Sequence, residues 1–378
     1  MSVTPRERLA RVALSHLAEP GDVRLLRLAR TLGPEKVYDA LLAERELDGS
    51  RSEVAERLVL LEPERRLDEA TRLGVRFVVP GDAEWPTQLD DLADAEPAQE
   101  RGEVPVGLWV RGPLRLDEVA RSVAIVGSRA ATTYGEQVAG EMAAHAGRHD
   151  WTVVSGAAFG IDQAAHRGAL AVTGPTVAVM ACGVERAYPV KHAPLLALIA
   201  ERGAIVSEAP VGSAPMRVRF LARNRLIAAL TRGTVVVEAA VRSGSLNTAG
   251  WADRLHRQVM GVPGPVTSGL SQGVHELIRA RSGLLVTRGA DVLEVVGAAG
   301  VGLLEPLRER PQPRDALTPR QRQVLDAVPV VSGAPIAAIA RTAGLGVDAT
   351  RRDVHELYRV GLVEQTGPGW RLSEQGRL

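Results

Sequence analysis

Cysteine is almost absent from this 378-residue chain: Cys182 stands alone, so an internal disulfide or a cysteine-built zinc site is excluded. The eight histidines show no HExxH or other metal-ligand spacing. A reducing cytoplasmic setting is expected, with no structural metal and no cofactor. Lysine is nearly missing as well: of 46 basic residues only Lys36 and Lys191 are lysines. Neither follows a glycine, so a Gly-Lys-Ser/Thr phosphate loop is excluded, and P-loop ATP or GTP chemistry with it. There is no 18-residue apolar run to cross a membrane. The first residues interrupt their apolar positions with Arg6, Arg8 and Arg11, which leaves no signal-peptide core. Net charge is nearly missing too. A formal +1 removes whole-chain basicity as evidence for nucleic acid, and acidity as evidence against it, so any electrostatic argument must be local.

What is present is a 45% hydrophobic chain, long enough for two or three domains with real cores. Residues 5 to 74 read as helical: Leu9, Val12, Ala13 and Leu17 recur at helical spacing, as do Leu25, Leu28, Ala29 and Leu32, then Val54, Leu58 and Leu61. A strand over 75–81 and another over 107–113 flank an acidic, Pro-containing stretch. From Val123 the pattern becomes regular. Valine-rich runs at 123–127, 152–156, 176–181, 204–208, 234–239, 259–264 and 284–287 alternate with helical segments. The runs are continuously apolar, as strands covered on both faces must be, which predicts a doubly wound parallel α/β sheet. A polar linker follows, and the last sixty residues read as three helices and a short hairpin around Gly367-Pro368-Gly369, a winged-helix pattern. The expected division is 1–74, 75–300, a linker 301–316, and 317–378. The third helix of the last unit mixes Arg351, Arg352 and Arg359 with Asp353 and Glu356, which leaves protein contact and DNA contact both open.

In such sheets ligands gather beyond the carboxyl ends of the strands. Every strand here ends in small polar residues: Gly127-Ser128-Arg129, then Ser155-Gly156 leading to Gly160, Cys182-Gly183, Ser207-Glu208, and Glu238 followed by Ser243-Gly244-Ser245. Serines and glycines ahead of helices present N–H groups to an anion, so a phosphate compound fits. No GxGxxG follows a strand, which argues against a dinucleotide. The formal GxSxG at Gly269 to Gly273 follows Pro263 and Pro265 in a loop, so the exposed nucleophile elbow is missing. The most unusual stretch is Arg217 to Arg225, with four arginines and one of only three phenylalanines. Guanidinium forks with an aromatic face suit a single-stranded nucleic acid. Equally, Phe220 reads as core, with the arginines solvating a helix start or pairing with Glu208 and Glu238.

These blocks in their order, VAIVGSRAATTYG (123–135), SGAAFGID (155–162), CGVERAYP (182–189), SEAPVGSAPMRVRFLARNRLIAAL (207–230), VVEAAVRSGSLNTAGWA (236–252) and VMGVPG (259–264), resemble the DNA-processing protein A (DprA/Smf) family over residues 75 to 300. Departures are Leu221 where many members have proline, Glu185 for an aspartate, and His192 and His275 where asparagines are common. The resemblance implies a Rossmann-like DNA-binding domain with an N-terminal helical (SAM-like) and a C-terminal winged-helix attachment. It implies binding rather than catalysis: a homodimer that holds single-stranded DNA and hands it to a RecA-type recombinase in natural transformation or recombination. Carried over by motif, Ser128, Arg129, Ser155, Gly156, Gly160, Arg217, Phe220, Arg223, Asn224, Ser243, Gly244 and Ser245 would line the strand, while Arg225 is open to a structural role. Two readings compete. One is a nucleoside-monophosphate hydrolase using Glu238 or Glu208 as acid-base group, although its PGGxGTxxE run is absent; the other is a winged-helix transcriptional or architectural protein.

Overall fold

The structure is a computed structural model that describes residues 3–43, 61–298 and 313–377. Val54 and Leu58 of the expected helical repeat and most of the expected linker lie outside the described residues. By backbone contacts the chain forms two units, Met1–Leu304 and Glu305–Leu378.

The sheet of the first unit is built on the valine-rich runs. Its strands are β1 (Val75–Val78), β2 (Leu108–Arg111), β3 (Ser122–Val126), β4 (Thr152–Ser155), β5 (Thr176–Val179), β6 (Ala204–Ser207), β7 (Gly233–Val236), β8 (Gln258–Gly261) and β9 (Leu284–Leu285). They lie in the order β1-β2-β6-β5-β4-β3-β7-β8-β9. The seven runs from Val123 onward pair in parallel. Successive residues feed opposite faces: Ala124 and Val126 enter one core, Val123 and Ile125 the other. That double coverage is why the runs lack apolar-polar alternation. The two earlier strands extend the sheet rather than standing apart, with β2 antiparallel to both β1 and β6. Strand order reverses between β3 and β7, and the crevice beyond their carboxyl ends is where such folds take ligands.

The helices α5 (Thr133–Arg148), α6 (Ile161–Ala171) and α7 (Ala193–Arg202) follow β3, β4 and β5, and the N-terminal helices α1 (Pro5–Leu17), α2 (Val23–Leu32), α3 (Pro34–Leu42) and α4 (Pro63–Arg72) form where the spacing predicts. Thr4 caps α1 by accepting from Glu7 N, and Asp22 caps α2 through Arg24 N and Leu25 N. They are tied to the sheet by side chains the periodicity could not assign. Arg8 forks Asp82 and reaches Phe77 O, Val12 packs with Phe77 and Trp109, and Arg27 and Arg30 converge on buried Glu103.

One buried pair fastens several of these parts together. Arg225 is fully buried and forks Glu208, at 2.7 and 2.8 Å, while its Nε donates to Gly102 O and Glu103 O. Glu208 also accepts from Gly21 N, between α1 and α2. Arg225 is therefore structural.

The second unit carries three helices, Pro319–Asp326, Ile336–Ala343 and Val347–Arg359, and the antiparallel hairpin Val363–Thr366 with Gly369–Leu372. Val324, Leu325, Ile339, Val354, Leu357 and Trp370 form its core. Tyr358 on the third helix is half exposed, its ring edge-on to that of Trp370. On the third helix Asp353 turns inward to Arg320, while Arg351 and Arg359 pair with Asp348 and Glu356.

Two outcomes follow for stability. Replacing Glu208 with Ala strands a buried guanidinium and is expected to cost about 3–5 kcal/mol in urea unfolding, the range for breaking a buried pair from one side. His166 is fully buried, donates through Nδ1 to Thr176 Oγ1, and has no hydrogen-bond partner at Nε2 among the described residues. Burial, with lesser repulsion from His192 and Arg223, pushes its pKa down to about 3. Below about pH 6.5 the unfolded chain binds a proton that the folded chain refuses, so stability falls with acidification by at most about 1.4 kcal/mol per pH unit from this group. His16, lowered to about 4 mainly by burial, adds in the same sense. A His166→Gln variant unfolded in urea between pH 4 and 7 should show a shallower slope than the parent.

Candidate nucleic-acid interface

Four connections at the carboxyl edge build the site: the loop 127–132 after β3, the loop 156–160 after β4, helix α8 (Arg217–Ala229), and the start of helix α9 (Gly244–Arg254). The first is braced by Glu238 at the end of β7. Its backbone oxygen accepts from Ser128 N at 2.7 Å, and its carboxylate accepts from Thr132 N and Thr132 Oγ1 at 2.9 and 2.6 Å. The brace holds Ser128 nearly buried, with its Oγ accepting from Ala130 N, and leaves the next residue, Arg129, in solvent.

The second loop is locked against the first. Ile161 N donates to Ser128 O, and Gly160 sits at φ +72°. A Cβ on Gly160 would lie 2.4 Å from Ser128 O and 2.9 Å from Arg129 O. Ala157 in the same loop also takes a positive φ, 52°, a strain of the kind found at binding sites. Ser155 is buried and spends its hydroxyl on Ile125 O.

Helix α8 divides along its length. Its first turn is open: Arg217 is exposed and makes no ion pair with a described residue, and Phe220 is half-buried. Arg129 lies over the Phe220 ring at 5.2 Å and Arg223 at 5.9 Å. Arg219 is engaged elsewhere, forking Glu19. The later residues are interior. Arg223 is only 7% exposed, donates to Val179 O, and packs so closely on Gly156 that a Cβ there would fall 1.8 Å from its Nη1. Burial lowers the Arg223 pKa against the pull of Asp162, and burial raises that of Asp162 against the pull of Arg223 and several hydrogen bonds. Asn224 is buried and donates to Gly244 O and Asn247 Oδ1. Arg223 and Asn224 thus lie beneath the edge, not on it.

The fourth element supplies an open helix start. Ser243 caps α9 with its Oγ 2.8 Å from that of buried Ser245, and around exposed Gly244 a Cβ would meet nothing within 4 Å. Of the twelve residues expected to line a ligand, Arg129, Arg217, Phe220, Ser243 and Gly244 are accessible; Ser128, Ser155, Gly156, Gly160, Arg223, Asn224 and Ser245 shape or support them.

The two carboxylates of the hydrolase reading are occupied. Glu238 is 2% exposed and held by Thr132, and Glu208 is held by Arg225, so neither stands free as an acid-base group. Ser271 of the GxSxG run is 2% exposed. Burial, reinforced by Glu185, pushes the Cys182 thiol up to about 11. Among the described residues no cluster of His, Cys, Asp and Glu suits a metal, and no helix is long and apolar enough to cross a membrane. Sequence reasoning missed two exposed aromatics on neighbouring loops: Phe159, stacked edge-on to His192, and Tyr188, whose ring centre lies 5.6 Å from that of Phe220. Their rarity in a 3% aromatic chain was the available signal.

Fold and edge together define a doubly wound α/β protein with an open polar rim at the carboxyl ends of its strands. Residues 76–297 match the family described as DNA recombination-mediator protein A, and the chain belongs to that family. It is 42% identical over 377 residues to a putative DNA processing protein DprA of Mycobacterium tuberculosis, covering 96% of this chain and 94% of the relative. It is also similar to the crystal structure of DNA processing protein A from Streptococcus pneumoniae, with a TM-score of 0.63 and 31% identity over 78% of this chain and 98% of that one. A further neighbour, from Helicobacter pylori, is a DNA processing protein A described for its single-stranded DNA binding mode; it gives a TM-score of 0.51 and 26% identity over 58% of this chain and 94% of that one.

Gly160→Ala forces an L side chain into a left-handed conformation and onto Ser128 O. It is expected to lower stability by about 2 kcal/mol or more in thermal or urea unfolding.

Proposed function

We propose that this chain grips single-stranded DNA along the carboxyl edge of its sheet, shields it, and passes it to a RecA-type recombinase during natural transformation or DNA recombination, breaking no bond. The observation that carries this reading is the exposed Arg129 set over Phe220, beside the open helix start at Gly244. A guanidinium and an exposed helix N-terminus suit successive phosphates, and an aromatic ring suits an unpaired base. Similarity to a DNA processing protein A described for single-stranded DNA binding supports it.

The same reading makes the protein cytoplasmic and homodimeric through the Rossmann-like domain, with residues 1–74 as a SAM-like helical attachment. Residues 317–378 are read as a winged helix. The partly neutralised third helix of that unit favours a regulatory or protein-contact role as much as DNA contact.

The test is a titration of labelled oligo-dT across a salt series, with a matching duplex and mononucleotides as competitors and released base monitored. Arg129→Ala is expected to weaken binding and to reduce the magnitude of the log K against log salt slope by about 0.7, one single-strand phosphate contact. An unchanged slope, or turnover of a nucleotide, overturns the reading.

A further inference from the structure

Half of the twelve aromatic side chains of this protein are where folding wants them. Trp85, Trp109, Trp151, Trp251, Trp370 and Phe77 are each no more than 6% exposed. In the first unit the aromatics exposed by more than a third are Tyr134, Phe159 and Tyr188, and all three lie on connections at the carboxyl edge. Isolated exposed apolar groups are ordinary, but gathering scarce rings at one rim is what a contact surface requires. Tyr134 has a structural use, since its hydroxyl donates to Pro263 O. Phe159 and Tyr188 have no such tether among the described hydrogen bonds.

Their placement is continuous with the site. Phe159 precedes Gly160, which abuts the backbone of Ser128 and Arg129; Arg129 lies over Phe220; Tyr188 tilts against Phe220 at 53°. Phe159 is backed by a fixed platform. It meets the His192 ring edge-on at 4.5 Å, and buried His192 donates through Nδ1 to Ala157 O. A ring standing on a rigid support loses little freedom when a base stacks on it.

We infer that Phe159 and Tyr188 are two further base-stacking positions, flanking the Arg129–Phe220 pair and extending the grip over successive unpaired bases. The inference rests on the single-strand reading above. Stacking on a ring is indifferent to sequence, because every base has a flat face. A duplex, whose bases are already stacked on one another, gains nothing from it.

The experiment compares oligo-dT with a chain of equal length made of abasic sites, which keeps the phosphates and removes the rings. Phe159→Leu and Tyr188→Leu are measured beside Phe159→Trp, with thermal melts confirming that each variant folds. Each leucine variant is expected to bind oligo-dT about tenfold more weakly, the lower part of the range for one lost stacking contact. Abasic affinity and the salt slope should stay unchanged, and Phe159→Trp should restore binding. If the leucine variants bind oligo-dT as the parent does, or lose both ligands equally, this inference falls while the single-strand reading stands. If the parent binds neither ligand, the single-strand reading falls and takes this inference with it.

Discussion

The buried fork between Arg225 and Glu208 is the constraint on which the rest of the first unit depends. Two charges out of water are tolerated only when geometry and further hydrogen bonds are complete, and here Gly21 N, Gly102 O, Glu103 O and Ala222 O complete them. One pair thereby fixes the end of β6, the middle of helix α8, the turn between the first two helices and the segment before β2. The open first turn of α8, with Arg217 and Phe220, inherits its position from that anchor five to eight residues further along.

The edge itself separates support from contact. Groups that look alike in sequence have opposite tasks. Arg129 stands in solvent, whereas Arg223 is folded under Phe220 against Gly156 and Val179 O. Ser243 caps an open helix, whereas Ser155 is consumed by a neighbouring strand. Glu238, which a hydrolase would free for proton transfer, instead braces the loop that presents Arg129. The arrangement spends its carboxylates on shape and leaves cations and rings outside.

Buried titratable groups add a second layer beneath that edge. Asp162, His166 and Arg223 are all pushed toward their neutral forms by burial. Of the three, only His166 makes the fold sensitive to acid; the raised pKa of Asp162 works in the opposite sense, and the lowered pKa of Arg223 bears only on alkaline pH.

The sequence by itself determined the parallel sheet, the helical ends and the blocks of the edge, because alternation of apolar runs with helical spacing and the order of short motifs are local properties. It also excluded the P-loop and the cysteine metal site, which depend only on residue identity. Tertiary structure alone decided that the strands of 75–78 and 108–111 join the same sheet, and that the N-terminal helices lock onto it through Arg8, Arg27 and Arg30. It also decided which arginine of the 217–225 run meets solvent, and that Phe159 and Tyr188 stand exposed beside Phe220. Exposure and pairing are set by segments 17 to 200 residues away, such as Glu208 on Arg225 and Glu19 on Arg219, and no local pattern carries that information.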